Sequence, residues 1–263
     1  MYGPRVGILT EPPPILPLVA ETHRWMLLTE LARSDRRVGE LTELLGKPQN
    51  LVSYHLGELR KAGIVTARRS SADRRDVYYS ADLTRCRDLL GAAGAAIHPG
   101  IASTAGAVGF APGRRRPCVL FLCTGNSARS QMAEALLVHR SDSAIVARSA
   151  GSHPKPLHPN AVRAMAEAGL DIARHTTKPL TTFARTRFDR VITLCDKVRE
   201  VCPPFPGEPI TSHWSIPDPA TAGDTDAATY PEFRRIAAEL EVRVGLLIAE
   251  LTPPPTEGNP RAR

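Results

Sequence analysis

The chain has 263 residues, 42% of them hydrophobic and 23% charged, with a net charge of +7. That length suits two domains, each able to bury a core, and the composition excludes a disordered, collagenous or membrane-embedded chain. Arginine supplies most of the excess positive charge, which favours polyanionic or oxyanionic partners.

The opening stretch, MYGPRVGILTEPPPILPLVA, is broken by prolines and an acidic residue, so it makes a poor signal peptide. No apolar run reaches the length of a membrane span. Five cysteines in such a chain read as reduced thiols. The expectation is a cytoplasmic protein without a membrane role, in which any disulfide is catalytic.

Residues 1–95 read as helices followed by a hairpin. Trp25, Leu28 and Leu31 fall at the helical period, with Leu27 alongside. Val38, Leu41 and Leu45 repeat it, and Gly46 ends that helix. The next helix opens at Pro48 or Gln49, with Val52, Leu56 and Leu59 inward and Gln49, Asn50, Ser53, Tyr54 and Arg60 on the other face. Two strand-like runs follow, IVTARR and DVYYSA, joined by SSADRR. Two helices at a tight turn and a basic hairpin make an α+β winged helix-turn-helix. Its second helix enters the major groove, and Arg68, Arg69, Arg74 and Arg75 flank the wing to meet phosphates or the minor groove.

Residues 96–116 are rich in Gly, Ala and Pro and read as a linker. Residues 117–252 form a second domain, and residues 253–263 a disordered tail. The second domain begins RPCVLFLCTGNSARSQMAEALL. A buried strand ends at Cys123, and a helix starts after a loop containing Thr124, Gly125, Asn126, Ser127, Ala128, Arg129 and Ser130. Backbone amides at such a strand-to-helix turn cradle an oxyanion, and the helix dipole adds positive charge. Arg129 offers a planar fork to a tetrahedral oxyanion. The same field favours the thiolate of Cys123, to which Ser130 can donate a hydrogen bond. Later segments alternate strand and helix: AIVARSAGS, HPNAVRAMAEAGL, RVITLC, ITSHWS and a long final helix. A parallel α/β sheet follows, with ligand at the strands' carboxyl ends. Asp218, in an Asp-Pro pair, is the candidate general acid. Cys195 stands 72 positions beyond Cys123, and Cys202 seven beyond Cys195.

Two resemblances rest on these residues. PQNLVSYHLGELRKAGIV, within residues 15–92, resembles ArsR-type repressors, which implies a homodimer on a two-fold symmetric operator. The paired cysteines that many arsenic-sensing members carry before the recognition helix are missing; Cys86, after the wing, is the lone cysteine of this half. From about Arg116 to Leu251 the chain resembles low-molecular-weight protein tyrosine phosphatases and the arsenate reductases built on their fold. That implies an α/β parallel sheet of low-molecular-weight phosphatase type.

TLCDKVREVCP looks like the cysteine relay of thioredoxin-coupled arsenate reductases. Ala128 stands where the phosphatases usually carry a second loop cysteine, and Ala220 and Thr221 replace their tyrosines after Asp-Pro. The resemblance therefore implies arsenate reduction by Cys123, Cys195 and Cys202, without a tightly bound cofactor and with an external thioredoxin-like dithiol reductant. It also implies a mobile segment at 195–203. A phosphatase tied to a regulator and a non-catalytic oxyanion sensor are the competing readings.

Some relatives hold potassium beside the loop. Asn126, Glu134 and Ser149 match its side-chain ligands, but Lys178 stands where a further acid is expected, and its ammonium could take the cation's place. The histidines lack ligand spacing, so no metal is expected.

Overall fold

The computed structural model describes residues 11–97 and 115–251. Most of the expected linker and all of the expected tail lie outside the described residues. The first half begins with a short helix that the proline-rich sequence does not announce, α1 (Ile15–Ala20), then α2 (Thr22–Leu31). A two-residue strand β1 (Arg36–Arg37) leads into α3 (Val38–Leu45) and α4 (Gln49–Lys61). Gly46 caps α3 at φ 60°, the left-handed conformation that ends a helix without a Cβ penalty.

Strands β2 (Val65–Arg69) and β3 (Val77–Ala81) form the expected hairpin, and β1 pairs on the far side of β3. The helix α5 (Leu83–Ile97) follows. Leu27, Leu28, Leu31, Leu41, Val52, Leu56 and Leu59 lie in this half's core, whereas Trp25, the first residue of the expected stripe, is 53% exposed because α2 turns its Leu27 side inward.

The second half runs β4 (Cys118–Cys123), α6 (Arg129–Arg140), β5 (Val146–Gly151), α7 (Pro159–Glu167), β6 (Arg190–Thr193), α8 (Asp196–Glu200), β7 (Ile210–His213) and α9 (Asp226–Leu251). Its four strands are all parallel, in the order β5-β4-β6-β7. The order reverses at β4, so the switch point falls at the carboxyl end of the strand carrying Cys123. The same rule brings the residues after β6 and β7, including Cys195 and Asp218, to that edge. The final helix starts at Asp226, earlier than expected, and carries Pro231 inside it, where the ring removes one i→i−4 hydrogen bond. The 195–203 segment, expected to be mobile, holds the short helix α8.

The two halves keep separate cores but touch through polar contacts. Asp35, fully buried, pairs with Arg243 of α9 at 3.1 Å, and its backbone N–H donates to the His213 carbonyl. The Tyr78 ring, also buried, stands edge-on to His213 with centroids 4.9 Å apart.

Candidate active site and nucleic-acid interface

The loop after β4 is shaped from both sides. Carbonyls of Thr124, Gly125 and Ser127 accept from the amides of His153, Lys155 and His158, which leaves the loop's own N–H groups for the concave side. Gly151 closes this packing: a Cβ there would lie 2.6 Å from the Thr124 carbonyl oxygen.

Asn126, fully buried, takes a left-handed φ of 47°. Its side chain secures that conformation. The Asn126 amide group donates to Ser130 and Ser149, while its carbonyl oxygen accepts from Gln131 and from the Lys178 backbone. The Asn126 backbone N–H donates to Cys123 Sγ at 3.2 Å, and Ser130 Oγ lies 3.0 Å from the same sulfur. Helix α6 begins at Arg129, so its positive end faces the thiol.

Arg129 is buried despite its charge. Its Nη1 donates to the Ile216 carbonyl at 2.8 Å, and Nη2 lies 3.1 Å from Asp218. Asp218 itself is half exposed, as a group that exchanges protons with water requires. Cys195 is buried with Sγ 3.2 Å from Thr124 Oγ1, so a second thiol touches the loop. Cys202, at the far end of α8, is partly buried, and burial pushes its thiol upward. Lys178 Nζ lies 3.9 Å from Glu134, which also accepts from Ser149 at 2.5 Å. The ammonium thus lies beside one of the three side chains matched to the cation's ligands and also donates to the Thr176 carbonyl.

Sequence reasoning missed the network behind Cys195. Asp196, fully buried, accepts from Ser215 and from the backbone and hydroxyl of Ser71, and meets His213 Nε2 at 3.1 Å. These donors, with Arg68, hold its carboxyl well below the usual carboxylate range despite burial. Nothing in the local pattern announces it, because the partners come from another domain and another strand.

On the other half, Gln49, Asn50, Ser53, Tyr54 and Arg60 project from α4 into solvent, as do Arg69, Arg74 and Arg75 from the wing. Arg75 pairs locally with Asp73 at 2.8 Å. Arg68 departs from the expected free wing: its Nη2 meets both Asp196 oxygens, at 3.1 and 3.0 Å.

Two histidines without ligand spacing in the sequence, His23 and His55, stack with centroids 5.2 Å apart beside Glu21. Glu21 already caps α2 through the Arg24 amide and accepts from His23, with the Arg24 guanidinium 3.8 Å away. Its negative charge is answered within the protein, and Glu21 serves as the cap of α2.

A buried thiol on an amide cradle, with an arginine fork and an acid at the edge of a parallel sheet, defines a cysteine-dependent oxyanion enzyme. Residues 118–254 match the family described as low molecular weight phosphotyrosine protein phosphatase, and the chain belongs to that family. Residues 22–67 match the family described as bacterial regulatory protein, arsR family. Similar curated proteins include an arsenate reductase of Halalkalibacterium halodurans, 39% identical over 126 residues, which span 48% of this chain and 91% of that protein. Another from Brevibacillus brevis is also 39% identical, over 48% and 90%. One from Bacillus subtilis is 37% identical, over 48% and 91%. Among solved structures, an arsenate reductase in the oxidized state aligns at 30% identity and a TM-score of 0.45, covering 51% of this chain and 98% of that one. No helix among the described residues is long and apolar enough to cross a membrane.

Proposed function

We propose that this chain reduces arsenate to arsenite with Cys123, Cys195 and Cys202, and that its other half binds operator DNA as a homodimer in the cytoplasm. The observation that carries the reading is the second thiol at the loop: Cys195 Sγ sits 3.2 Å from Thr124 Oγ1. Phosphoryl transfer from Cys123 has no use for it.

The cradle amides and Arg129 hold the arsenate oxygens. Cys123 thiolate attacks arsenic(V), and Asp218 protonates the oxygen that leaves as water. Cys195 thiolate then attacks the Cys123 sulfur. The electron pair of the sulfur–arsenic bond passes to arsenic, which leaves as arsenite, two electrons richer, and a Cys123–Cys195 disulfide remains. Cys202 thiolate attacks Cys195, forming Cys195–Cys202 and freeing Cys123. A thioredoxin-like dithiol protein supplies the two electrons that reset the pair. No tightly bound cofactor enters these steps.

On the DNA side, Gln49, Asn50, Ser53, Tyr54 and Arg60 face base edges and phosphates, with Arg69, Arg74 and Arg75 in support. Leu90 and Ile97 on α5 are exposed, which suits a helix that packs against its own copy. Arsenite release from arsenate, measured with a dithiol protein as donor, tests the enzyme. Wild type should turn over repeatedly, and full turnover by Cys195→Ser would overturn the reading.

A further inference from the structure

The thiol relay and the DNA-binding wing meet at one helix. Asp196, next to Cys195, receives Arg68 from β2 and both the amide (2.6 Å) and hydroxyl (3.0 Å) of Ser71 from the wing tip. Arg199, on the same helix, pairs with Glu40 at the start of α3 and lies over the Tyr78 ring, 5.1 Å from its centroid. Every contact between α8 and the first half named here is made by residues lying between Cys195 and Cys202.

That helix cannot survive the disulfide assigned to its ends. The five residues of α8 alone rise about 7.5 Å, and Cys195 and Cys202 lie beyond its two ends, whereas a disulfide holds its Cα atoms within about 7 Å. Joining Cys195 to Cys202 therefore unwinds α8 and moves Asp196 and Arg199. A second set of contacts joins the halves through other residues of the first half: Asp35 holds Arg243 and the Ser215 amide, and Ser34 Oγ accepts from the His213 amide. Ser215 and His213 also meet Asp196 through their side chains, and the Ser215 carbonyl also accepts from Arg68. The halves thus have a pivot at Asp35 and a latch at α8. Beside the latch lies a cleft of about 580 Å³ lined by Arg68, Asp82, Arg87, Ser215, Pro217 and Arg235.

We propose that the oxidation state of Cys195 and Cys202 controls the DNA-binding wing: the dithiol form holds Arg68 and Ser71 on Asp196, and the disulfide form releases them to DNA. The inference rests on the relay proposed above and assigns the regulation of that site. Linkage makes it reciprocal, so DNA shifts the Cys195–Cys202 equilibrium toward the disulfide by the factor that the disulfide adds to DNA affinity.

The test uses the full chain and needs no arsenate. Diamide takes two electrons and two protons from the Cys195 and Cys202 thiols and becomes the hydrazine, and peptide mapping verifies the bond. Hydrogen exchange at the Ser71 amide and anisotropy with a fixed 30-base-pair mixed-sequence duplex then compare the two forms. The disulfide form should exchange at Ser71 at least about tenfold faster and bind the duplex about fivefold tighter, within the usual range of coupling between sites. Reduced Asp196→Asn should bind DNA like the oxidised wild type. The exchange measurement on wild type stands even if that variant folds poorly.

A mapped Cys195–Cys202 disulfide with unchanged exchange and unchanged affinity overturns the coupling while leaving the relay intact. Failure of the two cysteines to join overturns both. A disulfide that loosens the wing in a protein unable to reduce arsenate sinks only the proposed reaction.

Discussion

Arg129 and Asp218 form an ion pair of 3.1 Å across the mouth of the thiol loop, with the arginine buried and the acid half exposed. A tetrahedral oxyanion entering the cradle competes with Asp218 for the guanidinium and frees the acid to protonate a leaving oxygen. Arg129→Lys should lower kcat/KM for arsenate by about 10²–10³, because a point charge cannot bridge the oxyanion and the Ile216 carbonyl together. Asp218→Asn should lower kcat by about 10²–10⁴. Cys123→Ser should abolish turnover, and more than a few per cent of wild-type rate in steady-state assays would remove Cys123 from the chemistry.

Cys202→Ser separates the relay from the loop. One arsenite per chain should appear in a single-turnover assay, after which the protein stalls at a Cys123–Cys195 disulfide visible in peptide maps. Any hydrolysis of an aryl phosphate should survive, since it uses only the loop, Arg129 and Asp218. Sustained arsenite production with a thioredoxin-like donor would contradict the assigned order of thiols.

The DNA surface divides into two kinds of contact. Arg74→Ala with Arg75→Ala should weaken binding to all duplexes and flatten the dependence of log affinity on log salt by about one unit per lost phosphate contact. Gln49→Ala or Ser53→Ala should instead relax sequence preference at one position of a selected site. Unchanged binding in both sets would point to a helical domain that docks on protein.

Cys86 is a poor candidate for sensing arsenite within one chain. It is half-buried behind the wing, and burial pushes its thiol up to about 11. A raised value means that the neutral thiol persists through pH 7 to 9 and the thiolate gains only as pH approaches 11. Alkylation of Cys86, followed by mass spectrometry, should therefore stay slow across that range. Cys86→Ser should leave the effect of arsenite on DNA binding unchanged; loss of an arsenite response would make Cys86 the sensor.

The buried pair between the halves gives a stability test. Asp35→Ala strips Arg243 of a fully buried partner, leaving Glu239 as its remaining carboxylate, and should cost about 3 kcal/mol. Denaturant unfolding should then separate into two transitions, one for each half. A single unshifted transition would show that the pair does not hold the halves together.

Much of this protein was legible along the chain because the informative features are local. The strand, cradle and helix around Cys123 occupy consecutive residues, and the spacing of Leu27, Leu31, Leu41, Val52, Leu56 and Leu59 marks the faces that must be buried. A hairpin closes over a few residues, and Gly46 ends a helix by its own backbone freedom. Such patterns depend on the 3.6 and 2.0 residue periods, which sequence displays directly.

Tertiary structure alone decided what those elements face. The stacking of His23 on His55 and the Arg129–Asp218 pair join residues far apart in the chain. Arg68 reads as a wing arginine free for phosphate, yet it lies on Asp196, 128 positions away. Asp196 reads as an ordinary polar residue after a cysteine, yet it is fully buried and accepts from both domains. No period or motif encodes these meetings, because a charge finds its partner by where the folded surfaces come together. A buried carboxylate must find donors wherever the fold supplies them.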